Sequence, residues 1–105
     1  MKTSELIDAS LDWAVTQIDY EGTAYDVWRN FRSECHYSTD WKEGGPIIER
    51  EKIGLTYSDS IPCWYATSQQ GKRFLRLGDT PLIAAMRCYV ASKLGDEVEI
   101  PEELT

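Results

Sequence analysis

The chain has 105 residues, 42% hydrophobic and 28% charged, and 18 acids against 11 bases give a formal net charge of −7. This length predicts a single domain, residues 1–105, with one hydrophobic core. The acidic balance disfavours nucleic-acid binding. No apolar run reaches the roughly 18 residues that a membrane helix needs and no secretory signal is recognisable, so we expect no membrane partner.

Two compositional features bear on the compartment and the surface. The cysteines, Cys35, Cys63 and Cys88, are far apart and lack C-x-x-C spacing, which predicts reduced thiols and no structural metal site. Acids crowd residues 96–105, which we interpret as a solvated acidic tail. A dock for a basic partner or a nucleic-acid mimic is the alternative, and it would require acids spread over a folded face.

The first predicted element is a helix over residues 3–18. Its core stripe consists of Ile7, Leu11, Ala14, Val15 and Ile18. Trp13 lies on the opposite side with Leu6 and Ala9, so the helix is apolar on two faces. Either the following segment covers Trp13, or Trp13 anchors a subunit interface. Because the helix has two apolar faces, we expect a homodimer.

An aromatic segment follows at residues 19–36, with no period of 2 or 3.6. Burial of such rings is favourable by about 1.5–3 kcal/mol each, so we expect a partly ordered flap that lies across the domain. Ligand-facing loops and ordinary covered loops both have this composition.

The most distinctive stretch is residues 37–46, where turn-forming residues precede a Gly-Gly-Pro sequence. Proline suits the first turn of a helix, so we predict a short helix over residues 46–52. Free amides at that start, beside the hydroxyls of Ser38 and Thr39, would receive an anionic or polar ligand group. Plain turn chemistry is the alternative, since the stretch is neither a Walker A loop nor a G-x-G-x-x-G fingerprint.

The second half of the chain alternates between strands and one long helix. Strands are predicted over residues 53–57, 63–68 and 72–77, with a Gln-Gly turn between the last two. A helix is predicted over Pro81–Leu94, because Thr80 suits the N-cap, Pro81 the first helical position and Gly95 a left-handed stop. Its larger apolar residues share one arc of roughly 140°.

These elements predict an α+β fold. Strands that follow one another through tight turns form an antiparallel sheet, and the amphipathic helices must bury their apolar faces against it. We therefore expect a small αβα-type sandwich, with a short antiparallel sheet packed by an N-terminal and a C-terminal helix.

Residues suited to catalysis are scarce. The only histidine, His36, is far in sequence from Cys63 and Cys88, and no cluster of His, Cys and Asp has metal-ligand spacing. We therefore expect no enzyme activity, no catalytic residues, no metal and no cofactor.

A binding function is therefore favoured, and two hypotheses stay open. In the first, aromatic side chains stack on a planar ring while amides and hydroxyls hold the phosphate or ribose of a nucleotide-like small molecule. Its ligand-binding residues are Tyr37, Ser38, Thr39, Asp40, Trp41, Gly44, Gly45, Trp64 and Arg87. In the second, an acidic protein inhibits or modulates an enzyme, with an exposed Trp13 or Trp28 as its anchor.

Three blocks of the sequence resemble a known family. They are residues 1–6 with 11–15, residues 37–41 with 44–51, and residues 80–93. Together they resemble the NinX-type proteins of lambdoid phages and prophages, and the last two blocks also resemble the phage ABA sandwich domain. The resemblance implies αβα layering and a phage accessory product made in the host bacterial cytoplasm. For such a product, sequestering a nucleotide-type immune signal would be a counter-defence function.

Overall fold

The computed structural model describes residues 2–19, 36–68, 75–95 and 97–98. The elements in chain order are a 3-10 helix Thr3–Glu5, α1 Asp8–Asp19, α2 Trp41–Glu51, β1 Gly54–Ser58, β2 Cys63–Thr67, β3 Leu75–Gly78 and α3 Pro81–Leu94. Most of the predicted flap, with Trp28 and Cys35, lies outside the described residues, as do the turn before β3 and most of the acidic tail.

The helix α3 has the bounds that its sequence predicts. The Thr80 side chain accepts a hydrogen bond from the Ile83 amide at 3.1 Å, and Pro81 occupies the first turn. The helix ends at Gly95, whose φ of 89° confirms the predicted positive value. Its ψ of −161° places Gly95 outside the left-handed helical region, in a conformation that glycine adopts without a steric penalty.

The helix α3 lies at the centre of the fold, because every other described element packs on it. The sheet covers one side, and α1 and α2 cover others. Its buried residues are Leu82, Ile83, Ala84, Ala85, Met86, Cys88, Tyr89, Val90 and Ala91. The small side chains of Ala84 and Cys88 are therefore core residues as well as the large ones on the predicted arc. Leu94, predicted to be on that arc, is 41% exposed.

The three strands form an antiparallel sheet in the order β1-β2-β3. Trp64 of β2 is opposite Tyr57 on β1 and Gly78 on β3. Ala66 is fully buried, and it lies on the same side of the sheet as Trp64 because alternate residues share a face. The antiparallel pairing and the α+β class are confirmed, and α1 packs mainly on α3.

The N-terminal segment departs from the predicted continuous helix over residues 3–18. Leu6 is extended, with φ −68° and ψ 135°, and it separates the 3-10 helix from α1. The Ser10 hydroxyl accepts from the Ile7 amide at 3.2 Å and donates to the Ile7 carbonyl at 2.8 Å, which satisfies the backbone at this break. These local bonds favour a new helix start over one continuous helix.

This break changes which side chains enter the core. Leu6 is fully buried and Ile7 is 46% exposed, so the placement of Ile7 on the core stripe was wrong. Leu11, Ala14, Val15 and the half-buried Ile18 pack in or against the core as predicted. Trp13 is 6% exposed, so it is buried within the chain and is not the exposed anchor that the second hypothesis requires.

The helix α2 begins before its predicted start at residue 46. Asp40 caps it, because the Asp40 carboxylate accepts from the Lys42 amide at 2.9 Å. Gly44, Gly45 and Pro46 then lie inside the helix, so their interpretation as a turn and a helix start was wrong. The cap contributes about 1 kcal/mol, less than the roughly 5 kcal/mol by which two glycines and a proline disfavour a helix interior, so the tertiary packing of the helix must offset most of that cost.

Two further observations complete the fold. None of the described helices has the length and apolar character that crossing a bilayer requires. Val98 belongs to the hydrophobic core, and Glu97 pairs with Lys2 in an antiparallel bridge. The start of the predicted solvated tail is therefore part of the folded structure.

Candidate functional site

The predicted binding stretch, residues 37–45, is packed tightly against two helices. A Cβ atom added to Gly44 would collide with the Tyr37 carbonyl oxygen and would lie 2.6 Å from Leu82 Cδ2. The Ser38 amide donates to the Asp12 carboxylate at 2.8 Å, which ties the stretch to α1. This close packing fixes the position of the stretch relative to α1 and α3.

The two hydroxyls that we expected beside a ligand lie in different environments. Ser38 is 1% exposed, and its Oγ has no hydrogen-bond partner within the part of the chain that the structure describes. Thr39 is exposed, and its amide donates to the His36 carbonyl at 3.2 Å. Of these two residues, therefore, only Thr39 lies on the surface of the protein.

The start of α2 presents fewer amides than the sequence predicts. The Asp40 side chain accepts from the Lys42 amide, and the Asp40 carbonyl accepts from the amides of Glu43 at 3.1 Å and Gly44 at 2.9 Å. The Glu43 carboxylate in turn accepts from the His36 amide at 2.8 Å. Asp40 therefore acts as a cap that satisfies the donors which an anion would otherwise bind.

Arg87 joins three parts of the fold. Its Nε donates to the Leu6 carbonyl at 2.7 Å, and its NH1 donates to the Leu77 carbonyl at 2.8 Å. Burial lowers the pKa of Arg87, and the charge of Asp79 opposes this change. Arginine nevertheless stays charged at neutral pH. The guanidinium thus holds the N-terminal segment and β3 against α3, a role that its position in an apolar helix did not reveal.

Trp64 and the predicted stretch flank the same part of α3, its first turn. Trp64 pairs with Gly78, where an added Cβ would lie 2.9 Å from Ile83 Cγ2. On the other side, Gly44 abuts Leu82. The predicted residues from the two halves of the chain therefore lie at one end of the domain.

Four aromatic residues lie at this end, Tyr37, Trp41, Tyr57 and Trp64, and we call them the aromatic end. Tyr57 and Trp64 meet edge to face, with ring centroids 5.4 Å apart and planes at 64°. Tyr37 and Trp64 are half-buried against the core, whereas Trp41 is 54% exposed and Tyr57 is 47% exposed. Tyr57 was missed from the sequence, although strand alternation and pairing would have placed it beside Trp64.

Comparison with known proteins identifies the family. A family model described as Bacteriophage P22, NinX matches residues 2–93. The chain belongs to this NinX family. The match confirms the resemblance seen in the sequence, whereas the likeness to the ABA sandwich domain stays a prediction. No curated protein matches the chain.

Exposed acids outnumber exposed bases next to the aromatic end of this NinX-family protein, although the exposed Lys42 also adjoins Trp41. Asp40 adjoins Trp41 in sequence, Asp59 closely follows Tyr57, and Asp79 precedes the cap of α3; all three acids are exposed. A surface of this kind combines large apolar groups with negative charge. It is complementary to a partner that presents an apolar pocket with a basic rim.

The groups that could perform nucleophilic chemistry in this NinX-family protein are not placed together by any described contact. His36 is exposed and Cys63 is half-buried, while Cys88 is fully buried. Burial raises the pKa of the Cys88 thiol to about 11, although the charge of Arg76 opposes the rise, so the thiol is protonated at neutral pH. Within the described ranges, no group of three or more His, Cys, Asp and Glu side chains could hold a metal ion.

Proposed function

We propose that this phage protein of the NinX family is a non-enzymatic accessory protein that binds and modulates a host or phage enzyme through its aromatic end. The observation that carries the proposal is the exposure of two large aromatic side chains at this end, Trp41 at 54% and Tyr57 at 47%, with exposed acids close to each in sequence. Tryptophan and tyrosine are the side chains most often responsible for binding energy at protein interfaces. The proposed place of action is the cytoplasm of the host bacterium.

Charge and hydrogen bonding favour a protein partner over a nucleotide at this end. Asp40 satisfies the first amides of α2, and Arg87 donates to two backbone carbonyls. The exposed acids Asp59 and Asp79 would repel phosphate groups. A nucleotide-like ligand at residues 37–45, with its counter-defence role, stays a prediction.

The homodimer also stays a prediction, but the reason for expecting it has changed. The apolar side chains opposite the predicted core stripe are buried within the chain, with Trp13 of α1 at 6% exposure and Leu6, which precedes α1, at 0%. This helix therefore needs no second copy to cover it. The exposed side chains of Trp41 and Tyr57 are better suited to an interface.

A binding experiment tests the proposed interface. A partner captured from host or phage-infected lysate is purified, and its affinity for the native chain is measured by calorimetry. We expect Trp41→Ala to weaken binding about tenfold or more, and Tyr57→Ala to weaken it less. Asp59→Asn should weaken binding mainly at low salt, since exposed charges act chiefly through screened attraction.

Leu94→Ala is the matched control, because Leu94 is a 41% exposed apolar residue at the far end of α3. It should leave the affinity unchanged. Equal affinities for the native chain, Trp41→Ala and Tyr57→Ala would overturn the proposal. Recovery of a small molecule with the protein, and of no stoichiometric partner, would also count against it.

A further inference from the structure

A half-open cavity of about 380 Å³ lies at the surface where the N-terminal segment, β3 and the residues after α3 meet. Its lining residues are Lys2, Thr3, Ser4, Arg76 and Glu97. The antiparallel bridge between Lys2 and Glu97 joins two of its walls. The volume falls in the range of small-molecule sites and exceeds the size of a bare inorganic anion.

This cavity is separate from the aromatic end. Glu97 follows the C-terminal cap of α3 at Gly95, whereas the aromatic end flanks the first turn of that helix. A helix of this length spans about 20 Å. None of the lining residues belongs to the aromatic end, so a ligand in the cavity would be held by a different set of side chains from those proposed to bind the protein partner.

Two cations contribute to the lining, although the chain as a whole is strongly acidic. Arg76 is paired with the buried Ala66 in the sheet, and it lies close enough to the buried Cys88 to influence that thiol electrostatically. Its stem is therefore held by the core. Lys2 is exposed, and within the described ranges its ammonium forms no ion pair with Glu97. A guanidinium and an ammonium from two different segments are suited to the oxygens of a phosphate.

The single acid in the lining limits the chemistry of the ligand. Glu97 would repel a bare anion, but its carboxylate would accept hydrogen bonds from hydroxyl groups on the same ligand. Ser4 adds a hydroxyl that can donate or accept. Phosphate and hydroxyl groups on one molecule of this size are characteristic of sugar phosphates.

We propose that this cavity binds a sugar phosphate, with Lys2 and Arg76 on the phosphate oxygens and Glu97 on the sugar hydroxyls. The aromatic end contributes nothing to this site. The proposal can therefore hold or fail whether or not a protein partner exists.

Titration of the full chain with ribose 5-phosphate, inorganic phosphate and ribose, followed by NMR amide shifts, tests the proposal. We expect shifts at residues 2–4 and 97, and tighter binding of ribose 5-phosphate than of either fragment. Lys2→Gln should weaken ribose 5-phosphate binding about tenfold, since one charged contact is lost. Glu97→Gln should strengthen the binding of inorganic phosphate and reduce the advantage of ribose 5-phosphate over it.

Lys42→Gln is the control for the charge change, because Lys42 is an exposed lysine on α2 and should have no effect. Arg76→Gln should also weaken binding, but it alters a half-buried side chain and could disturb the fold. The exposed Lys2 is therefore the residue whose substitution decides the test. Absence of ribose 5-phosphate binding would overturn the proposal. Equal losses in Lys2→Gln and Lys42→Gln, or equal affinity for inorganic phosphate and ribose 5-phosphate, would do so as well.

Discussion

The helices α3 and α2 are both capped by side-chain oxygens, yet they differ in how they are packed. The helix α3 is buried on all sides from Leu82 to Met86 and from Cys88 to Ala91, and all other described elements contact it. The helix α2 buries Ile47 and half-buries Ile48, while Lys42 and Glu49 on other sides are exposed. The comparison shows that one helix maintains the core, whereas the other leaves a free surface that can carry binding residues such as Trp41.

The helix α2 is attached to α3 at both of its ends. At the first end, Gly44 abuts Leu82. At the second end, Arg50 donates to the Tyr89 hydroxyl at 2.8 Å, and Glu51 pairs with Lys93 at 3.1 Å. A tight apolar contact and a polar cluster thus hold the two ends, and substitutions at each should have distinct effects.

The largest expected effect is the difference in stability loss between truncating a core residue of α3 and truncating a residue of α2. Met86→Ala in α3 removes a fully buried side chain and should lower the free energy of unfolding by about 2–5 kcal/mol. Ile48→Ala in α2 removes a half-buried one and should cost only about 1 kcal/mol. Chemical denaturation of both variants measures the difference. Equal losses would show that α2 is as deeply packed as α3.

The next effect distinguishes the adjacent glycines of α2. Gly44→Ala should destabilise the protein by about 1–3 kcal/mol, because the added methyl collides with Tyr37 and Leu82. Gly45→Ala should change the stability by less than about 1 kcal/mol, because the nearest contact outside the adjacent residues is Trp41 Cε3 at 3.9 Å, while the helix propensity of alanine is offset by the steric cost of a Cβ before Pro46. Thermal unfolding of the pair provides the measurement. Equal losses in both variants would contradict the described packing.

The N-caps of α3 and α2 can be compared directly, because in each a side-chain oxygen accepts a hydrogen bond from a backbone amide of the first turn. Thr80→Ala removes the side-chain acceptor for the Ile83 amide, and Asp40→Ala removes that for the Lys42 amide. Each should lower the free energy of unfolding by about 1 kcal/mol, because a cap acts locally whatever the rest of its helix contacts. Denaturant titration of both variants tests this. A loss for Thr80→Ala several times that for Asp40→Ala would mean that the effect of a cap depends on the burial of its helix.

The smallest expected effect concerns Glu51. Burial raises the pKa of Glu51, but hydrogen bonds and charge from Lys93 and Arg50 outweigh burial, so the pKa lies below its ordinary value of 4.5. The ionised form therefore stabilises the fold above about pH 4.5, and this stabilisation is lost as the pH falls through the lowered pKa. Glu51→Gln should cost less than about 1 kcal/mol at pH 7, because the pair is partly exposed.

The measurement is the free energy of unfolding of the native chain and Glu51→Gln between pH 7 and pH 3. The difference between them should shrink as the pH falls. A difference that does not change with pH would show that Glu51 contributes by packing and not by charge.

The bounds of α3 could be read from the sequence because its cap, its proline and its terminal glycine all act locally and agree. The start of α2 could not be read from the sequence, because Gly-Gly-Pro indicates a turn whereas Asp40 supplies a helix cap. Which of the two determines the local structure depends on the tertiary contact of Gly44 with Leu82. The break after the 3-10 helix depends in the same way on the hydroxyl of Ser10.

Part of the candidate site was also accessible from the sequence. Trp41 and Trp64 were expected in one site. Gly44, near Trp41, and Gly78, which pairs with Trp64, both abut the first turn of α3, while a shared binding role stays a prediction. The cavity could not be predicted from the sequence, because Lys2, Arg76 and Glu97 are far apart in the chain and belong to no local motif. The role of Arg87 was hidden for a similar reason, since its acceptors are backbone carbonyls of distant segments.

The bridge between Lys2 and Glu97 has a consequence for the order of folding. It joins residues from the two ends of the described chain, whereas β1, β2, β3 and α3 follow one another closely. Closing the longest loop loses the most chain entropy, so we expect this contact to form after the local hairpin and helix. In native-state hydrogen exchange, the N-terminal segment should accordingly open before the helix on which it rests.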